Sequence, residues 1–161
     1  MRPVDQSEVG LRPVDQSEPR PSTSGELARK LSIKRDTRLC VTGAPPGFSQ
    51  LTPATLPNGV RLVLRLAGAF DVIVAFFASR AELEHRLPRL RAALEPAGGL
   101  WIAWPKRTSA LASDLTGDVV RELGLAAGLV DNKVCAIDET WSGLRFVYRL
   151  VDRPGAARRS T

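Results

Sequence analysis

Phe70-Asp71-Val72-Ile73-Val74-Ala75-Phe76-Phe77 is apolar at every position but one, and it runs almost directly into Ser79-Arg80-Ala81-Glu82. A strand that is apolar on both faces must be covered on both, the condition of a central strand in a parallel sheet. The four residues that follow match a capping box, in which the serine hydroxyl bonds the third amide and the glutamate reaches back to the cap, so a helix starts at Arg80. Leu83, Leu87, Leu90 and Leu94 then recur at three- and four-residue steps and give that helix one apolar stripe, with Pro88 expected to kink or restart it. A doubly buried strand followed at once by an amphipathic helix is half of a βαβ unit, and with it the reading becomes α/β.

Downstream, Pro96-Ala97-Gly98-Gly99 is expected to end the helix, Leu100 to Trp104 to form the next strand, and Pro105 to close it, because proline cannot donate to a sheet ladder. A polar loop follows to about Asp114. From Leu115 to Ala127, the residues Val119, Val120, Leu123, Ala126 and Ala127 fall on one helical face, and Gly128 supplies a C-terminal stop. Lys133 to Ile137 and Leu144 to Leu150 read as two last strands, joined by Asp138-Glu139-Thr140-Trp141-Ser142-Gly143 into an antiparallel hairpin.

Upstream, Val60, Leu62, Leu64 and Leu66 alternate with Arg61, Val63 and Arg65, the pattern of a half-buried strand over Val60 to Leu66. Arg38 to Thr42 is a first strand that ends in Gly43-Ala44-Pro45-Pro46-Gly47. Glu26 to Lys30 is a short leading helix with Leu27 and Leu31 on one side. The order is a helix, then β-β-β-α-β-α-β-β. A three-layer, Rossmann-like α/β domain over residues 26–151 follows, its parallel sheet closed by an antiparallel hairpin.

The ends read differently. Arg-Pro-Val-Asp-Gln-Ser-Glu occurs at 2–8 and again at 12–18, and the run continues through Pro19, Pro21, Ser22, Thr23, Ser24 and Gly25. Two proline- and charge-rich copies with one valine each bury nothing, so residues 1–25 read as a disordered arm rather than as repeats of a solenoid. Residues 152–161 read as a flexible basic tail. The 161 residues carry a formal charge of +6 and a pI near 10.1, which favours anionic partners. No apolar run reaches membrane-spanning length and no secretory signal is present, so a cytoplasmic protein without a membrane role is expected.

The block from Phe70-Asp71-Val72-Ile73-Val74 through Gly98-Gly99-Leu100-Trp101-Ile102-Ala103-Trp104, with the helix before Gly128 and the terminal hairpin, resembles the C-terminal half of class I methyltransferases. More closely, the chain resembles an uncharacterised family of small bacterial proteins, a domain of unknown function regarded as methyltransferase-like. The motifs that carry this are Val41-Thr42-Gly43-Ala44-Pro45-Pro46-Gly47-Phe48, Ser79-Arg80-Ala81-Glu82-Leu83, Trp104-Pro105-Lys106, Asp114-Leu115-Thr116 and Asp138-Glu139-Thr140-Trp141-Ser142-Gly143-Leu144. The fold implied is a shortened class I methyltransferase sheet, and the cofactor implied is S-adenosylmethionine.

The chain departs from that pattern in two places. A methyltransferase offers a Gly-x-Gly-type turn after its first strand; here Gly43 and Gly47 remain, while Pro45 and Pro46 remove two amide donors. It also offers a carboxylate at the end of the second strand for the ribose hydroxyls, where this chain has Arg65-Leu66-Ala67-Gly68. Few residues separate Val60 from Phe70, whereas methyltransferases place a full helix and strand there.

Ligands of open α/β sheets bind beyond the carboxyl ends of the strands. That edge gathers the candidate ligand-binding residues Gly43, Gly47, Phe48, Ser79, Lys106 and Trp141, with Lys106, Asp138 and Glu139 as weak candidates for catalysis. Lys106 is expected to meet Asp138 or Glu139 in an ion pair or to hold a ligand. Phe48 and Trp141 are expected to lid the core or to wall a flat ligand, with Trp101 and Trp104 in the core. Ser79 is accounted for as a helix cap. His85, the single histidine, lies on the polar side of its helix, and Cys40 and Cys135 sit in separate strands, so neither a metal site nor a disulfide is expected.

The leading expectation is a methyltransferase-like domain without catalysis, serving as a binding or regulatory module, with a homodimer, a small molecule or a protein as partner. The alternative is a methyltransferase with an atypical S-adenosylmethionine site at Gly43, Gly47 and Ser79, with Asp138 or Glu139 as base. A third class is nucleic-acid association through basic surface and Arg153, Arg158 and Arg159 of the tail.

Overall fold

A computed structural model describes residues 25–152, so the proposed arm before Gly25 and the tail after Asp152 lie outside the described residues. The elements are α1 (Glu26–Lys30), β1 (Arg38–Thr42), β2 (Arg61–Val63), β3 (Phe70–Phe76), α2 (Arg80–Ala92), β4 (Leu94–Pro105), α3 (Gly117–Ala126), β5 (Leu129–Ala136) and β6 (Trp141–Tyr148). One six-stranded sheet runs in the order β2-β1-β3-β4-β6-β5. The first four strands are parallel, and β6 inserts antiparallel between β4 and β5. The order reverses between β1 and β3, which places the topological switch of the sheet at their carboxyl ends.

The doubly apolar reading of β3 explains the layers. Ile73 and Ala75 face a core formed with α2 and α3, where Leu83, Leu87, Leu90 and Val120 pack on Leu100, Ile102 and Phe146. Val72, Val74 and Phe76 face the other way, into a core with Leu27 and Ala28 of α1, Leu31 at its C-cap and Leu51 of the β1–β2 connection. Trp101 and Trp104, three apart on β4, fall on opposite faces and are both buried. Fully burying a leucine or phenylalanine contributes roughly 1.5–3 kcal/mol, so the two cores together hold the sheet between its layers.

Local chemistry sets the helix ends. The Ser79 hydroxyl accepts from the Glu82 amide at 3.3 Å and the Thr116 hydroxyl from the Val119 amide at 3.2 Å, each satisfying an amide of a first turn. Gly128, at φ +89°, turns the chain out of α3. Pro88 does not break α2, which is continuous from Arg80 to Ala92. The carbonyl it leaves unpartnered in the helix ladder belongs to Glu84, and both residues are exposed, so the loss falls where water replaces the bond.

Several expected boundaries move. Leu94 leaves the helical stripe and opens β4, pairing with Phe70, and Pro96 to Gly99 lie inside that strand. They read as helix breakers because they carry a bulge: the register shifts between Phe70 and Val72, and a Cβ on Gly98 would come within 2.7 Å of the Asp71 carbonyl oxygen. The strand expected over Val60 to Leu66 is short, Arg61–Val63, since β2 is an edge and Leu64 turns outward at 70% exposure. β5 begins at Leu129 rather than Lys133, and β6 takes in Trp141 to Gly143, which leaves a tighter turn than expected. On α3 Val119, Val120, Leu123 and Ala127 pack inward as expected, joined by Gly124, whereas Ala126 is exposed.

Residues 43–60, between β1 and β2, form turns without a helix, and 64–69 carry the chain straight to β3. The layer opposite α2 and α3 is therefore made of one short helix and an extended loop, and the candidate site is built from that loop.

Candidate functional site

β1 ends at Thr42, and Gly43 turns the chain at φ +74° with its backbone pressed on β3. A Cβ there would stand 2.8 Å from the Phe76 carbonyl oxygen. Both the left-handed φ and the close approach require glycine. The next turn uses the two prolines: Phe48 N donates to Pro45 O at 3.1 Å, with Pro46 at the second position and Gly47 at φ +83° in the third, the residue pattern of a type II turn. The two prolines remove two amide donors from the loop. Their structural effect is to throw Phe48 back onto the sheet edge.

Phe48 meets Phe76 edge to face, with ring centroids 5.1 Å apart at 65°, and Phe76 meets Trp141 at 5.1 Å and 84°. Such pairs add about 0.5–1.5 kcal/mol each beyond burial. The row crosses the carboxyl edge from the β1 loop over the end of β3 to the start of β6, beside the topological switch. Trp141 is held by its own turn: Asp138 Oδ1 accepts from the amides of Thr140 and Trp141, both at 2.8 Å, and Ile137 N donates to Trp141 O at 2.9 Å. Lys106 N donates to Thr140 O at 2.7 Å and ties the end of β4 to that turn.

Above the aromatic row lies a cleft of about 410 Å³. Pro45 to Gln50 form one wall, Asp138, Thr140 and Trp141 the other, and Ala110 and Leu111 of the loop after β4 complete it. Asp138 is the sole charged residue among the lining. A partly apolar cleft with a carboxylate and no cation suits a flat ligand that is neutral or positive and disfavours phosphate.

Of the candidates named from sequence, Gly47, Phe48, Asp138 and Trp141 line the cleft. Gly43 supports it from β1, and Ser79 is occupied as the α2 cap. Lys106 forms no ion pair with Asp138 or Glu139; its backbone rather than its ammonium makes the contact, because the turn presents the Thr140 carbonyl to the end of β4. Glu139 is exposed at the turn and is absent from the lining. Ser49, Gln50, Ala110, Leu111 and Thr140 were missed, since irregular loops bring them together and no periodicity marks them.

S-adenosylmethionine does not fit these residues. Leu64 and Arg65 follow β2 where the ribose hydroxyls would need a carboxylate, and Pro45 and Pro46 stand where backbone donors would be needed. The loop after β4 is fixed elsewhere: Arg80 N donates to Asp114 Oδ1 at 2.8 Å and Ser113 Oγ to Ala78 O at 2.8 Å. Among the described residues no helix is long and apolar enough to cross a membrane.

Comparison with known proteins places the architecture. The chain is similar to a SAM-dependent methyltransferase from Aquifex aeolicus, at a TM-score of 0.59 and 12% identity over 74% of this chain and 86% of that one. It is similar to magnesium protoporphyrin IX methyltransferase from Synechocystis PCC 6803, at 0.52 and 11% over 76% and 78%. It is also similar to the Methanococcus jannaschii fibrillarin pre-rRNA processing protein, at 0.51 and 15% over 76% and 73%. No protein-family model and no curated protein matches the sequence. The fold is therefore Rossmann-like α/β. Within that class it is methyltransferase-like, with a six-stranded sheet closed by the inserted β6.

Proposed function

We propose that this chain is a methyltransferase-like binding or regulatory module that does not transfer methyl groups, and that its ligand enters the cleft between Pro45–Gln50 and Asp138–Trp141. The observation that carries this reading is the aromatic row Phe48–Phe76–Trp141 laid across the carboxyl edge. Two further features support it: the prolines that build the row take the place of amide donors, and no carboxylate follows β2. The motif resemblance supports membership of the uncharacterised bacterial methyltransferase-like family. The ligand class is a flat group, neutral or cationic, carried by a small molecule or by a side chain of a partner protein.

The second reading, a methyltransferase with an atypical cofactor loop, is favoured by one feature. Gly43 keeps the left-handed turn and close backbone approach at the end of β1, where such a loop belongs. Isothermal titration of the full chain with S-adenosylmethionine separates the two. No heat of binding is expected, and micromolar affinity overturns the proposal.

A further inference from the structure

The face of the sheet that carries α1 holds a group of cations, none of which lines the cleft. Trp101 on β4, Arg145 on β6 and Lys133 on β5 stand side by side in register, so their side chains rise from the same face. The Trp101 indole donates to Leu31 O at 3.1 Å, which docks the end of α1 over the row. Lys30 and Lys133 then clasp crosswise: Lys133 Nζ donates to Lys30 O at 3.0 Å, and Lys30 Nζ to Ala136 O at 2.9 Å. The Arg145 guanidinium lies over Gly99, where a Cβ would stand 2.5 Å from Nε, and Nη1 donates to Asn132 Oδ1 at 3.3 Å.

Each of these bonds goes to an uncharged acceptor, so it fixes the cation in place without neutralising it. On the opposite face three cations do meet carboxylates, Arg121 on Asp131 at 3.1 Å, Arg80 on Glu84 at 3.4 Å and Arg38 near Glu95 at 3.9 Å. Positioned cations spread along a surface, outside any enclosed cavity, match a chain of phosphates better than one small anion. The overall charge of +6 acts in the same direction.

We infer that the α1–β5–β6 face binds the phosphate backbone of single-stranded nucleic acid through Lys30, Lys133 and Arg145. The inference is independent of the cleft and survives if the proposed module reading fails.

The test is fluorescence anisotropy of a labelled single-stranded RNA titrated with the full chain across a salt series. Three phosphate contacts predict a slope of log K on log salt of about −2, falling to about −0.7 in Lys30→Gln/Lys133→Gln, with affinity about 20-fold weaker near 0.1 M salt. Because that variant also loses the clasp on α1, Lys30→Arg/Lys133→Arg is the companion. It keeps charge and donors and should bind like the parent, as should Arg121→Gln on the other face. Unchanged binding by the glutamine variant overturns the inference. So does binding abolished by glutamines at Arg153, Arg158 and Arg159 alone, and so does binding to phosphatidylserine vesicles without binding to RNA.

Discussion

The two faces of the sheet are built by different means. On one, α2 and α3 run 13 and 10 residues, each begun by a hydroxyl cap, and they press leucines at helical spacing onto the strands. On the other, α1 has 5 residues and starts from Gly25, which offers no side-chain cap, and the rest of the layer is turn and loop. The loop face is held by individual tethers: the Trp101 indole on Leu31 O, the lysine clasp, and the Thr55 hydroxyl on Gln50 O at 2.9 Å. Repeating helical packing fixes the architecture that the chain shares with methyltransferases. Tethered loops are free to change without disturbing it, and the cleft lies among them.

By that contrast a cavity costs more on the helical face. Leu90, fully buried on the inner face of α2, packs among regular elements, and Leu90→Ala should cost about 4 kcal/mol, whereas Leu51→Ala in the collapsible loop should cost about 2 kcal/mol. Denaturant unfolding of both variants measures this. Equal losses would break the comparison, since they would mean that the loop packs as rigidly as the helices.

The buried thiol of Cys40, also on the helical face, gives a test by pH. Burial pushes it from 9.0 up to about 11, against a smaller opposing effect of Arg86. The unfolded chain then releases its proton near pH 9 while the folded chain holds on to it, so stability is full below pH 9 and declines as pH rises toward 11. The decline reaches up to about 3 kcal/mol. Cys40→Ala should flatten that part of the curve, and an unchanged slope would place the thiol in contact with water.

The loop face should respond to loss of one bond. Trp101→Phe keeps the apolar bulk and removes the indole donor, leaving Leu31 O unsatisfied at a cost of about 1–2 kcal/mol. Amide exchange should quicken in α1 and leave α2 untouched. Uniform quickening would show that the two faces unfold as one unit.

The same division explains what was legible in the sequence. β1, β3, the start of α2, the exit of α3 and the three layers could be read because burial on a regular element leaves a period, as in Leu83, Leu87 and Leu90. Gly98 and Gly99 misled because a bulge and a helix stop use the same residue. At the site, Gly47, Phe48, Asp138 and Trp141 were readable as turn and aromatic residues. Leu111 and Gln50 were not, because irregular backbone brings them to the cleft and irregularity has no period. The role of Pro45 and Pro46 in aiming Phe48 was present in the Pro-Gly pattern, yet shows its consequence only once Phe76 is seen beneath it.

The two cysteines probe the faces at the finest scale. Cys40 has no exposure in the helical core, while Cys135 is half-buried on the other face beside Lys30 and Lys133. Burial raises the Cys135 thiol as well, but the two lysines offset part of the rise and favour the reactive thiolate. A disulfide reagent added to the native protein at mildly alkaline pH should therefore label one thiol quickly and the second only as the protein unfolds. Cys135→Ser should erase the quick phase, and Cys40→Ala should leave it. Two thiols reacting at one shared rate would mean that the loop layer opens no more easily than the helical one, and the distinction between the faces would then be one of shape alone.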